Sequence, residues 1–314
     1  MLINKNYIIA ALGLFILFIT PLALSRFYIY MIALILVYGL LATSLNLVLG
    51  FGGIYQFHHA VFYGIGAYGT ALMLTKTDFP QWAAFFAGPL TASIISVVIG
   101  FVCLRLSKLY FGMLQISLGS LIWAVVYRWY SFTGGDDGIH GIPLPDIISS
   151  TYGGYYFILI ITLLSMYTML KIVKSPFGSV LQSIRDNPVR SEMIGVNIKL
   201  HQLLALVIAG TFAGVAGALF VVVDNSVFPD MMFWTLSLEV LIMCLLGGWF
   251  SFSGPMLGAA IIVTLRTFIS AYTNYWTLIL GILMIAVIFF LPDGIVGYFD
   301  EITKKKENVV TFKE

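Results

Sequence analysis

Six polar side chains stand inside otherwise apolar stretches: Asn46, Gln56, His58, His59, Gln115 and Glu239. In hydrocarbon each needs a partner from protein, water or solute, because lipid offers none. Amides, imidazoles and a carboxylate are groups that can stand in for the hydration shell of a small polar solute. The six are therefore candidates to line a translocation path, and Ser117 belongs with them. Asn46, Gln56, His58 and His59 flank Gly50-Phe51-Gly52-Gly53, which reads as a helix break. A broken helix exposes backbone groups that can hold solute near the bilayer midplane. A charge such as Glu239 costs roughly 2.5–3.5 kcal/mol at mid-membrane on insertion scales, so it must face the bundle interior or water. It is either a path-lining or gating group, or a hydrogen-bonded structural carboxylate that holds a broken helix.

Other chemistries are excluded by spacing. Adjacent His58 and His59 diverge on a helix and have no further ligands nearby, so no metal site is expected. Gly64-Ile65-Gly66-Ala67-Tyr68-Gly69 matches G-x-G-x-x-G, but it follows no strand and lies in an apolar span. It reads as close helix packing, as do the small-xxx-small pairs Gly210…Gly214 and Gly254…Gly258. There is no H-E-x-x-H, no G-x-S-x-G and no pair of catalytic carboxylates, so neither catalytic residues nor a cofactor are expected. Cys103 and Cys244 both fall in apolar runs and read as small packed residues with no disulfide framework.

Two connections are long enough to act. In the stretch 174–202, Ser175 suits an N-cap and Pro176 the first helical position. Phe177, Val180, Leu181 and Ile184 then fall at i, i+3, i+4 and i+7 as one apolar stripe, with Gln182, Arg185 and Asp186 on the other side. Asn187-Pro188 repeats the start signal, and Gly195 can end the second helix. Two short amphipathic helices need a surface for their stripe. That surface is either the membrane and their own bundle, or a groove on a cytoplasmic partner. The other long connection, 128–154, is rich in Gly, Pro and Asp, and carries Asp136, Asp137 and His140 in a turn region.

The elements that must position these groups follow from composition. Of 314 residues, 60% are hydrophobic and 10% charged. That is too few charges to cover a soluble globule and too much apolar surface for disorder. A net charge of +2 gives no reason to expect a nucleic-acid partner. Apolar runs of about 17–25 residues are helix spans rather than barrel strands. The chain reads as an all-α, polytopic helical membrane protein with about ten spans. They lie near 7–24, 28–49, 57–74, 82–104, 109–127, 155–173, 203–223, 235–250, 256–273 and 276–292. The third, eighth and ninth are short or glycine-broken and read as partly re-entrant. The first is longer than a usual signal-peptide core, which argues against cleavage. With the N-terminus inside, Lys5, Arg105, Lys108, Lys171, Lys174, Arg185, Arg190, Lys199, Lys304, Lys305, Lys306 and Lys313 are cytoplasmic. Only Arg26, Lys76 and Arg128 are outside, and Arg266 lies within the ninth span. That bias places both termini in the cytoplasm. Residues 1–314 thus form one transmembrane domain in the lipid bilayer, with a charged tail at 300–314. One internal echo is visible: Gly52-Gly53-Ile54-Tyr55-Gln56-Phe57 parallels Gly247-Gly248-Trp249-Phe250-Ser251-Phe252. This span order puts both on the cytoplasmic side, whereas inverted repeats put equivalent breaks on opposite sides.

The string SPFGSVLQSIRDNPVRSEMIGVNIKLHQLLALVIAGTFAGVAGALF resembles the cytoplasmic loop and following span of ABC-importer permeases, in the LivM-type branch of branched-chain amino acid uptake. LNLVLGFGGIYQFHHAVFYGIGAY, FTGGDDGIHGIP, SLEVLIMCLLGGWFSFSGPMLGAA and LPDGIVG agree in the same order, from about residue 40 to 297. The resemblance implies a prokaryotic cell (inner) membrane importer for branched-chain or other small amino acids. Its other parts would be a second homologous permease subunit, two cytoplasmic ATP-binding subunits and an external solute-binding protein. This chain has no G-x-x-x-x-G-K-[ST] loop, so another polypeptide would hydrolyse ATP. Glu192 and Gly195 fall on the family's short Glu…Gly coupling signature. The resemblance therefore makes Ser175, Pro176, Phe177, Gly178, Arg185, Asn187, Glu192 and Gly195 an ATPase-coupling loop, and Asp136, Asp137 and His140 a binding-protein contact.

The sequence departs from the family where solute would pass. Gln56 stands where the family has a small Ser, and His58 where it has Gly; His59 matches. The family's YFAM-x-T run reads Tyr110-Phe111-Gly112-Met113-Leu114-Gln115, with Gln in place of Thr. These changes leave fold and coupling untouched but open the substrate question. Urea or another small amide is the alternative, and an ion-coupled secondary transporter with Glu239 as relay is the competing class.

Overall fold

An apolar stretch in hydrocarbon can satisfy its own backbone only as an α-helix. Helices are what these stretches form in the computed structural model, which describes residues 13, 15, 17–106, 108–273, 275–290 and 294–298. A helical segment at 17–23 precedes α1 (Arg26–Asn46), α2 (Ala60–Lys76), α3 (Gln81–Cys103), α4 (Lys108–Arg128) and α5 (Thr151–Val173). Then come the short α6 (Pro176–Asp186) and α7 (Pro188–Met193), and the long α8 (Ile198–Asp224). The chain continues with α9 (Trp234–Gly247), α10 (Gly254–Ile269) and α11 (Trp276–Phe290). Five helices among the described residues are long and apolar enough to cross a membrane. The others are shorter. At 1.5 Å per residue, the 14 residues of α9 and 16 of α10 reach only about 21–24 Å, less than a ~30 Å hydrocarbon core. The third, eighth and ninth spans are short as expected, but α11, at 15 residues, is as short as they are and was not expected to be. Lys5, the tail 300–314 and both termini lie outside the described residues.

Burial sorts the helices. The apolar stretch running from α1 to Phe51 is 78% buried and that of α8 67%, against 22–28% for α3, α4 and α5. The first two form the centre, and the others turn Phe86, Leu90, Ile94, Leu121 and Leu164 outward, as lipid-facing helices do. Glycines set the closest approaches. A Cβ on Gly66 would overlap the Gly214 backbone, one on Gly88 the Gly66 carbonyl, and one on Gly214 would crowd Ala92 and Pro89. The G-x-G-x-x-G string is therefore where α2, α3 and α8 meet.

The connections gather at two ends. One end holds the turn before α1, residues 128–150 and the segment after α8: Tyr30 Oη donates to Asp224 at 3.4 Å, and Lys76 Nζ to the Ser131 carbonyl at 2.8 Å. Here Ile139–His140 pairs antiparallel with Ser226–Val227, a two-stranded clasp that hydropathy did not announce. The opposite end holds α6, α7, the Gly52-Gly53 turn and the Gly247-Gly248 turn. The two echoed segments therefore lie together.

Candidate functional site

The centre of interest is the end of α1. Its last turn widens into a π-helix, Leu47–Phe51. Such a turn leaves carbonyls to be satisfied. Gly53 N–H bonds to the Leu49 carbonyl at 3.1 Å and Ile54 N–H to Val48 at 3.0 Å. The Gly50 carbonyl is reached from another element: Arg185 Nη1 on α6 donates to it at 2.7 Å. Gly50 admits no side chain, because Asn46 and the Trp249 carbonyl occupy the space, and Gly53 adopts φ +64° against the Arg185 stem. The chain then runs without helix to Ala60, whose N–H bonds to Ser237 Oγ at 3.0 Å.

The polar residues around this break divide into two groups. Asn46 Nδ2 donates to the Ser251 carbonyl at 3.0 Å, tying α1 to the turn before α10. His59 Nε2 lies 2.8 Å from Ser44 Oγ, and Ser44 itself donates to the Leu41 carbonyl, so Nε2 carries the proton. These two residues brace the break. Gln56 and His58 are buried with neither side-chain polar atom bonded to protein, and Gln115 Oε1 is likewise unpartnered. His58 packs on Gly119 and Phe57 on Gly112, which brings Gln115, between those glycines on α4, to the same face. Leaving a buried polar group unpaired costs about 1–3 kcal/mol, so this trio is poor structure unless something else binds it. Ser117 does not join them; it is exposed and donates to the Met113 carbonyl.

The loop 174–202 forms the two helices its sequence predicts. Pro176 opens α6, although the Ser175 hydroxyl turns back to the Ile172 carbonyl instead of capping. Gly178 packs against the Val173 carbonyl, where no side chain fits. Asn187 caps α7 by accepting from Arg190 N–H at 3.0 Å. Gly195, at φ +88°, closes it: its N–H bonds to Glu192 and that of Val196 to Ser191, the paired bonds of a Schellman end. Leu181 and Ile184 are buried against the permeating bundle's own helices, and Phe177 stacks on His201 with ring centroids 5.9 Å apart. The stripe is thus spent within the chain. A second apolar set stays open on α7 and its end: Val189 (60% exposed), Met193 (81%) and Ile194 (72%), beside Arg190 and Glu192. The periodicity of α6 gave no hint of it.

The sequence model of one family, described as branched-chain amino acid transport system / permease component, matches residues 27–288. The chain belongs to this permease family. It is 26% identical to the high-affinity branched-chain amino acid transport permease LivM of Escherichia coli K12, over 93% of this chain and 75% of that protein. It is 25% identical to LivH of Salmonella typhimurium, over 83% of this chain and 91% of that one. To the probable LivM of Methanocaldococcus jannaschii it is 22% identical, over 65% and 66%. No solved structure matches. The protein is therefore a multi-pass membrane transport subunit, an ABC-transporter permease rather than an enzyme.

In this permease Glu239 does not stand alone. Arg266 Nη1 on α10 lies 3.2 and 3.3 Å from its two oxygens, an ion pair between the short helices. Arg266, which the sequence places within the ninth span, thus finds its counter-charge inside the bundle. The carboxylate is 11% exposed and the guanidinium 47%. The hydrogen bonds of Glu239 go to Arg266 and not to Gln56, His58 or Gln115. At the end that holds residues 128–150, Asp136 and Asp137 sit on a single exposed 3-10 turn. His140 Nε2 lies 2.8 Å from the Asp137 carbonyl and Nδ1 3.3 Å from Ser226 Oγ. Asp136 beside the Tyr130 hydroxyl raises that phenol's pKa by hydrogen bonding and by charge. The three expected contact residues thus share one surface, fixed by the clasp to the segment after α8.

Proposed function

We propose that this permease carries branched-chain or other small amino acids inward as the membrane subunit of an ATP-driven importer, by alternating access. Its partners are a second homologous permease subunit, two cytoplasmic ATP-binding subunits and an external solute-binding protein. It works in the cell (inner) membrane of a prokaryote, with both termini cytoplasmic. One observation carries the reading. A helix of the loop 174–202 caps the break that bears the unpartnered polar groups, through Arg185 and Gly50. Motion imposed on that loop from the cytoplasm therefore reaches the path directly. The open apolar set on α7, flanked by Arg190 and Glu192, is suited to a groove on an ATP-binding subunit. Asp136, Asp137 and His140 form the contact with the solute-binding protein. Support for the substrate class comes from the names of the LivM and LivH relatives.

The test is uptake into proteoliposomes holding the complete transporter. Accumulation that requires internal ATP and survives a protonophore supports the reading. Accumulation abolished by the protonophore and indifferent to ATP sinks it. In the same preparation, Glu192→Lys and Gly195→Trp are expected to lower co-purification of the ATP-binding subunits at least severalfold, with the permease still folded. Unchanged co-purification removes the loop from the interface.

A second substrate, a small amide such as urea, is favoured by the trio Gln56, His58 and Gln115, whose unpartnered donors and acceptors suit a planar amide. Gln56→Ser and Gln115→Thr are expected to shift relative uptake toward apolar amino acids by roughly tenfold, the weight of one hydrogen-bonded group. An unaltered uptake profile takes both residues out of the path.

A further inference from the structure

We propose that Arg185 is a latch joining the coupling helix to both Gly-Gly turns, and that its release opens the cytoplasmic end of the path. The proposal rests on reading 174–202 as the coupling loop and adds what that loop moves. All three nitrogens of the guanidinium have a partner. Nε and Nη2 each lie 2.9 Å from Asp186 Oδ1, which fixes the plane of the fork. Nη1 donates to the Gly50 carbonyl at 2.7 Å, placing a cation at the C-terminal end of α1, where the helix dipole favours it. The guanidinium carbon lies over the Phe250 ring, 5.2 Å from its centroid. Three elements distant in sequence therefore meet on one side chain: α6, the turn at Gly52-Gly53, and the turn after Gly247-Gly248.

The surroundings give this contact a mechanical meaning. Two clefts, of about 280 and 450 Å³ and each partly open to the outside, are both lined by Gly53, Tyr55 and Arg185. One extends to Leu104, Phe111 and Gln202, the other to Leu49, Trp249 and Phe250. The three shared residues are the partition between them. Gly53 has no side chain and Tyr55 is half exposed, so Arg185 is the part of the partition that a moving α6 can withdraw. Withdrawal uncaps Gly50, frees Phe250 and joins the clefts. A charge-assisted hydrogen bond biases two states by roughly tenfold to a hundredfold, enough to hold a gate and little enough for ATPase motion to overcome. Lysine cannot replace the fork, since a compact ammonium on a different stem lacks the three separate nitrogens that reach Asp186 and Gly50 at once.

The experiment measures solute carried per ATP hydrolysed by the complete reconstituted transporter. For Arg185→Gln the ratio is expected to fall about tenfold, and Arg185→Lys should not restore it. Phe250→Leu, outside the loop and on an exposed side chain, should lower the ratio severalfold with the ATP-binding subunits still attached. If Arg185 were only a helix cap, both variants would unfold at lower temperature yet keep the wild-type ratio, and that result overturns the latch. The underlying reading fails differently. If Glu192→Lys still co-purifies the ATP-binding subunits, coupling loop and latch fall together. If it loses them while Arg185→Gln and Phe250→Leu keep the wild-type ratio, the latch alone falls.

Discussion

Arg266→Leu is expected to destabilise the permease by about 2 kcal/mol, and Glu239→Gln in the same chain to restore most of the loss. The asymmetry of the pair is the reason. Removing one partner of a fully buried ion pair costs about 3–5 kcal/mol, because an uncompensated charge stays behind. Here the charge left behind is the 11%-exposed carboxylate, while the lost guanidinium is 47% exposed and already partly screened, so the loss falls below that range, to about 2 kcal/mol. Glutamine keeps the shape of Glu239 and needs no counter-ion. The measurement is unfolding of the detergent-solubilised protein for the two single variants and the double. If the effects of Arg266→Leu and Glu239→Gln simply add, the pair is not coupled and its geometry has no energetic meaning. The same variants separate the two readings of Glu239. In the double variant the fold is restored and the carboxylate is gone. Uptake that returns with stability marks Glu239 as structural; uptake that stays lost marks it as part of the path.

How far the sequence reached depended on how local each signal was. The ends of α6 and α7 were legible because Ser175-Pro176, Asn187-Pro188 and Gly195 act within one helical turn of themselves. The spans were legible because hydrocarbon leaves the backbone no alternative. The short third, eighth and ninth spans could be read from their glycines, whereas the equally short α11 could not. What could not be read was pairing across the chain. Nothing near Arg185 says that it caps Gly50, 135 residues away, or that it lies on Phe250. The echo between the two Gly-Gly turns was the one hint, and it gained sense only when both turns proved to share an end. The polar residues show the same limit. All looked alike as hydrophilic groups in apolar runs, yet Asn46 and His59 are held by specific bonds, Gln56, His58 and Gln115 are not, and Ser117 faces outward. Their sorting depends on partners on other helices. The clasp of Ile139–His140 with Ser226–Val227 was invisible for the same reason, since two residues carry no period.

Gly66→Val and Gly214→Val are expected to prevent folding, a loss above about 3 kcal/mol each, where Gly281→Ala should be neutral or gain up to about 1 kcal/mol. Ordinary overpacking costs about 1–3 kcal/mol because neighbouring side chains shift. At Gly66 there is no side chain to shift: a Cβ overlaps the Gly214 backbone, and one at Gly88 overlaps the Gly66 carbonyl. The only relief is to separate α2 from α8, and with it the contacts of both with α3. Lipid provides no hydrophobic force to draw helices back together, so lost packing is not recovered. Gly281 on α11 has nothing within 4 Å of a Cβ, and there alanine gains its helix propensity at no steric cost. Gly69 should fall between the two, since Thr91 Oγ crowds its Cβ most closely and that hydroxyl can rotate away. Fluorescence-detected size-exclusion of the solubilised protein ranks the series. A monodisperse Gly66→Val peak at wild-type yield would show that the helices can part without loss, and the G-x-G-x-x-G string would then need a reason other than packing.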